Sequence, residues 1–348
     1  MTREIDFRFV IVRDGADYTT LRPAASGSQQ IRMDDSADVK TSFSGVFLDP
    51  GDSVNWLTDE LRPELIIDGE VDSLGVFLPA SVQESENETS HTVRVEAYDR
   101  SWRVRDSYTE TQLTISAGTN YIQAIEQQLT ACGIGLITKT PSAAVLAEDR
   151  ADWSIGTSRL SIVNQLLSEI NYNPLWFNSK GYAVLEPASE PTAINIEHTL
   201  DDTQVKSLLL PKIAKETDIY SVPNVIICIC SNADKSGPMV ATSENTNPQS
   251  PLSIARRKRR IAKVVQVDNI ADQTELQAYA DRLRNETMIT GETIRVQTAL
   301  LPNFGVDDVT AIRYGDLFAV CIERAYTMDL RVGGLMQHTL EKVVINIG

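Results

Sequence analysis

Residues 156–187, GTSRLSIVNQLLSEINYNPLWFNSKGYAVLEP, leave few structural choices. Gly156, Thr157 and Ser158 are residues that start helices. Leu160, Val163, Leu167 and Ile170 then recur at spacings of three and four, with Ile162 and Leu166 beside them. That spacing predicts an amphipathic helix of about three to four turns. Asn171 to Pro174 stop it: Pro174 has no N–H and disfavours helix at the residue before it. Leu175, Trp176 and Phe177 read as a short apolar strand, and Asn178 to Gly181 as a turn. Tyr182 to Leu185 is the return strand, ended by Pro187. The unit is a helix followed by a hairpin, and it separates two stretches whose pattern is β.

The stretch before it alternates from the start: Ile5, Phe7, Phe9 and Ile11 share one face. Turn signals follow at Asp14-Gly15, Asp49-Pro50-Gly51-Asp52 and Asp68-Gly69, and TVRVEAYD (residues 92–99) alternates strictly. Turns about every ten residues predict an antiparallel sandwich or barrel over residues 1–108. Ile122, Ile125 and Leu129 predict a helix over residues 119–132, stopped by Gly133 and Gly135. With the helix–hairpin it makes a small α+β insertion over residues 109–190. Strand character resumes over residues 191–348, with a buried strand at Val222–Cys230 and a last meander from Gly291. Asp272-Gln273-Thr274-Glu275 opens a helix with a capping-box pattern. SNADKSGPMVATSENTNPQS and the residues after it are expected to form a long flexible loop over 231–260, ordering on a partner. The two β stretches are alike in kind and size.

The formal net charge of -16 argues against a nucleic-acid-binding face, which needs basic residues to neutralise phosphates. Cys132, Cys228, Cys230 and Cys321 lie in apolar surroundings and read as reduced, buried thiols. MTREIDFRFVIV has no signal-peptide core, and no apolar run approaches a membrane span, so synthesis and assembly in a cytoplasm are expected.

Chemistry is sparse. Arg256 to Arg260 forms a basic run, weighed as a phosphate contact against a loop end meeting an acidic neighbour; the second fits the overall charge. Cys228-x-Cys230 has no second Cys or His pair nearby and reads as strand core. His91, His198 and His338 show no metal-ligand spacing, and no Gly-x-Ser-x-Gly elbow supports a nucleophilic triad. Asp34-Asp35, Asp201-Asp202 and Asp307-Asp308 read as turn residues before they read as a glycosidase pair. The sequons at Asn87 and Asn285 carry no meaning without secretion. No catalytic, cofactor-binding or metal-binding residue is assigned, and no cofactor is expected.

The order of elements resembles a known family. The 156–187 unit, VQVDNIADQTELQAYADRLRN (265–285), Ile312-Arg313-Tyr314-Gly315-Asp316-Leu317 and Gly334 to Leu340 are similar to segments of phage tail and baseplate hub proteins. The group is that of PBSX-like prophage hubs, related to the late-control-D proteins. The resemblance runs from about Leu113 to the C-terminus. It implies a mainly β fold with an α+β insertion: two tail-tube-like antiparallel β-barrels plus a small α+β domain. It also implies a non-enzymatic homotrimer in the virion tail or baseplate of a contractile phage or tail-like particle. There the trimer would join the six-fold tail tube above to the three-fold spike below. DNA would pass through an acidic lumen without specific binding. The rival readings are a tail-tip cell-wall hydrolase and a distal tail carbohydrate-binding protein.

Overall fold

The computed structural model describes residues 3–24, 29–87, 90–188, 195–204, 207–217, 222–230, 238–267, 270, 272–287 and 289–343. The chain opens with eight strands: β1 (Ile5–Arg13), β2 (Ala16–Leu21), β3 (Gln30–Asp34), β4 (Thr41–Leu48), β5 (Glu60–Ile67), β6 (Glu70–Ser73), β7 (Phe77–Asn87) and β8 (Ser90–Asp99). The predicted turns are present, with Asp14, Gly15, Asp68 and Gly69 all at positive φ. All pairs here are antiparallel, in the order β3-β4-β8-β7-β5-β1-β2. The circuit returns to β4: Leu48 N–H donates to Arg22 O (2.9 Å) and Ala24 N–H to Val46 O (3.0 Å). Phe9, Phe43, Phe47 and Phe77 fill its interior, with ring centroids 5.2–6.1 Å apart. Burying each such ring is worth about 2–3 kcal/mol.

The insertion comprises α1 (Ser101–Arg105), β9 (Leu113–Ile115), α2 (Tyr121–Ala131), β10 (Ile137–Lys139), β11 (Arg150–Trp153), α3 (Arg159–Glu169), β12 (Trp176–Phe177) and β13 (Ala183–Leu185). Leu160, Ile162, Val163, Leu166 and Leu167 of α3 are buried against Val104, Ile125 and Leu129. The core is thus continuous from α1 to β13. Asn120 caps α2, its side chain accepting from Gln123 N–H. Ser158 holds the extended capping backbone of α3, but its Oγ donates to Arg105 O instead (2.7 Å), fastening α3 to α1.

The chain continues with β14 (His198–Asp201) and β15 (Leu209–Thr217). A separate unit follows: β16 (Val225–Cys230), β17 (Met239–Glu244), α4 (Ile254–Arg257), β18 (Ala262–Val267) and α5 (Gln273–Thr287). It is a three-stranded sheet in the order β17-β16-β18 with α5 on one face. Asp272 Oδ1 caps α5, accepting from Thr274 and Glu275 N–H. Then come β19 (Ile289–Ala299), β20 (Val309–Tyr314), β21 (Leu317–Asp329) and β22 (Leu335–Val343).

Two expectations are corrected here. Residues 231–260 are not one long loop. Met239–Glu244 is a strand paired along its whole length with Val225–Cys230, and Asn245, Ser250, Leu252 and Ser253 are buried. The Ser- and Asn-rich composition reflects a side-chain network, with Asn245 Nδ2 donating to Ser250 Oγ (3.0 Å), and not exposure. Residues 231–237 of that segment lie outside the described residues. Nor do residues 191–348 form a single β module, because β16, β17, β18 and α5 have their own core around Ile226, Cys228, Cys230, Leu276 and Ala280.

The remaining strands repeat the first module. Their order is β15-β19-β22-β21-β20-β14, against β3-β4-β8-β7-β5-β1 earlier. The long hairpins match in detail. The β7–β8 ladder has a bulge between Pro79 and Ser81, and the β21–β22 ladder has one between Glu323 and Ala325. One difference is direction: β14 runs parallel to β20, whereas β1 is antiparallel to β5. The fold is mainly β, and it is one chain carrying the same strand plan twice.

Candidate functional site

The two β modules meet at β21. Leu317–Ile322 pairs with β20, and Ala325–Asp329 pairs with β3 of the first module, which makes one 14-stranded sheet. Arg324 stands at the changeover. Its Nη1 lies 3.0 Å from Asp35 and 2.5 Å from Asp307, and its Nε 2.7 Å from Glu341. Burial works against the guanidinium charge, but Asp307, Glu341 and Asp35 outweigh it and hold the Arg324 pKa above its ordinary value. Asp35 also binds Lys40 at 2.9 Å. These carboxylates are shared across the seam, so the seam is specified by ionic bonds as well as by the ladder.

Below the seam, His198 stacks on Phe304 with centroids 3.8 Å apart, and His338 lies against the same ring at 4.8 Å, tilted by 54°. His198 Nε2 is 2.8 Å from Asp308 Oδ2, which also accepts from Gly305 N–H at 2.6 Å. His338 Nδ1 is 2.8 Å from Glu323, and its Nε2 is 3.0 Å from Thr298 Oγ1. Burial pushes the Glu323 carboxyl up, with His338 opposing. Thr298, His338 and Glu323 therefore have the spacing of a hydroxyl–imidazole–carboxylate triad. They cannot act as one in this fold: all three are at most 1 % exposed, and no carbonyl carbon can reach Thr298 Oγ1. The geometry serves to satisfy both nitrogens of a buried imidazole in a β core.

A cavity of about 250 Å³ lies where both modules and the insertion meet, lined by Met33, Asp99, Trp176, His198, Phe304 and Asp308 among others. Its wall comes partly from the hairpin turn of the insertion. Ser73 Oγ donates to Ser179 O (2.6 Å) and Arg100 Nη1 to Gly181 O (2.9 Å). Gly181 has φ +76°, and a Cβ there would sit 2.8 Å from Val76 Cγ2. Glycine is required both by the turn and by this contact. Arg100 in turn makes a two-toothed bond to Glu60 (2.5 and 3.1 Å). The insertion is thus held rigidly on the first module.

The sequence-predicted features are dispersed. Arg256, Arg257 and Arg260 bind Pro248 O, Val222 O and Glu244, so the basic run ties loops together. Cys228 and Cys230 are core of β16, and all four cysteines are free and buried. His91 is on the β7–β8 hairpin, 3.4 Å from Glu86. Asp201 caps its own turn at Thr203. Asp34-Asp35 and Asp307-Asp308 come together at the seam, and His198 and His338 gather beside them on Phe304, with His198 bonded to Asp308. Sequence reasoning missed Arg324 and Phe304, which carry no motif. The seam is long-range, with β3 and β21 nearly 300 residues apart, and no local signal reports it. Among the described residues, no group of three or more His, Cys, Asp or Glu could hold a metal ion.

No family model and no curated protein sequence matches the chain. Solved structures do. The tail protein from Neisseria meningitidis MC58 superposes with a TM-score of 0.68 at 14% identity, covering 96% of both chains. The 43 kDa tail protein of prophage MuSo2 from Shewanella oneidensis gives 0.66 at 11%, covering 96% of this chain and 98% of that one. An Escherichia coli type VI secretion component, described as similar to the T4 tail proteins gp27 and gp5, gives 0.51 at 10%, covering 100% and 76%. At these identities the likeness is one of fold. The chain has the fold of phage tail proteins.

Proposed function

We propose that the chain is a structural hub of a contractile phage tail or tail-like particle, acting as a homotrimer between a six-fold tube and a three-fold spike. The observation that carries this reading is the duplicated strand plan fused at β21. Three copies of a two-module chain supply six like modules to the tube above and three like chains to the spike below. A closed ring of this kind converts one symmetry to the other. The shared fold with tail proteins supports a place in the virion tail or baseplate. It also supports membership of the hub group that the 156–187 unit resembles. No helix among the described residues is long and apolar enough to cross a membrane.

The role is assembly, not catalysis: the triad-like cluster found among the described residues is sealed in the core. Part of the -16 charge faces the lumen, so DNA passes without adhering. Chemical cross-linking of intact particles tests the position. The expected result is cross-links from this chain to both tube and spike proteins. Cross-links to neither, with peptidoglycan clearing in a zymogram, would replace this reading with a tail-tip hydrolase.

A further inference from the structure

The repeated strand plan makes a prediction that one chain alone does not fulfil. Within the chain, β3 of the first module lies against the C-terminal half of β21. In the second module the counterpart of β3 is β15, which pairs with β19 and has its other edge unpaired among the described residues. In the first module the counterpart of β21 is β7. Its N-terminal end meets β5 at Phe77, as β21 meets β20, while among the described residues the edge of Ser81–Glu86 away from β8 has no strand beside it. Ser81, Gln83, Glu84, Ser85 and Glu86 are exposed, and so are Ala214, Lys215, Glu216 and Thr217.

We propose that β15 of one copy adds antiparallel to β7 of the next copy, reproducing between chains the β3–β21 seam within the chain. This rests on the trimeric hub reading and supplies its interface. The register follows from the ladders. Ile31 and Lys215 occupy the same place, because each faces the residue of the next strand (Phe43 or Ile294) that pairs with Ala97 or Leu340. The matched bulges equate Ser81 with Ala325, and so Glu84 with Met328. Met328 faces Ile31. Glu84 therefore faces Lys215, Gln83 faces Glu216 and Val82 faces Thr217. Opposite charges fall at directly opposed positions, an arrangement that favours the pairing. The contact is head-to-tail, so the same junction repeats until the ring closes. β-Strand addition also satisfies the backbone groups of two open edges.

The test uses the full chain with Gln83→Cys and Glu216→Cys together. Asp35 N–H donates to Arg324 O and Leu330 N–H to Gln29 O in the internal seam. The counterpart pair Gln83/Glu216 then falls in the closer, non-hydrogen-bonded position suited to a disulfide. The four native cysteines are buried and do not compete. Mild oxidation is expected to give a covalent trimer on a non-reducing gel, and neither single variant should. A native trimer that yields no such cross-link overturns the proposed junction and leaves the hub reading standing. A monomeric or hexameric native mass before oxidation overturns the hub reading itself. Charge reversal is the second arm. Glu84→Lys and Lys215→Glu should each weaken trimer association about two- to five-fold, with the double reversal restoring it. Additive weakening in the double variant would also overturn the junction.

Discussion

Thr298 shows how burial decides chemistry. Its hydroxyl, His338 and Glu323 have the distances of a catalytic relay but no access. The fold instead uses the contact to satisfy a buried imidazole. Thr298→Val keeps the shape and removes the partner, so it should cost about 1–3 kcal/mol in urea unfolding. A fluorophosphonate probe should leave the folded protein unlabelled; stoichiometric labelling at Thr298 would contradict the structural role. Asp59 contributes to the acid behaviour of the first module. Arg13 bonds it through two nitrogens, at 2.8 and 2.6 Å, and holds its pKa below the ordinary carboxylate value; the Asn55 N–H adds a third bond. A depressed folded pKa stabilises at pH above the unfolded value and is lost as pH falls through the folded one. Stability should therefore fall as pH drops below about 4. In Asp59→Asn that acid limb should be shallower, measured by denaturant titration from pH 7 down to pH 3. Neither role was legible beforehand. A lone Thr or Asp has no signature until the chain brings its partner from 40 or 46 residues away.

At the scale of elements, α3 was readable because its apolar positions recur with the helical period; it ends at Glu169, where Asn171 turns the chain at φ +58°, before Pro174. Leu167 is fully buried in that face. Leu167→Ala should destabilise the insertion by about 2–5 kcal/mol, read as increased proteolysis within residues 101–188. β17 was not readable, since MVATSE is short, polar and flanked by Ser, Gly, Pro and Asn. Its strand state comes from the ladder with β16, a tertiary effect that overrides weak local preference. β21 was seen only as part of a meander. Its second half is shared, pairing with β22 on one side and with β3 of the first module on the other, and Arg324 marks the place. Arg324→Ala leaves Asp35, Asp307 and Glu341 close together without their shared cation. A loss of about 2–4 kcal/mol in chemical denaturation is expected.

For the molecule as a whole, the β-rich class and the α+β insertion could be read from turn spacing and periodicity. The resemblance to tail hubs rested on the order of elements, and the comparisons show its coarser part, the fold of phage tail proteins. Two things escaped the sequence. One is the separate β16–α5 unit, whose strands look like any buried strand. The other is the repetition of strand order, which resides in pairing partners hundreds of residues apart and not in recurring residues. That repetition is the basis of the proposed ring: two modules per chain, joined at β21, and three chains. A cryo-electron microscopy reconstruction of the purified oligomer tests it most directly. The account predicts a three-fold ring containing six β modules around an open channel, with β7 and β15 of neighbouring chains side by side. A ring of six chains, or a lone chain with both edges open, would contradict it.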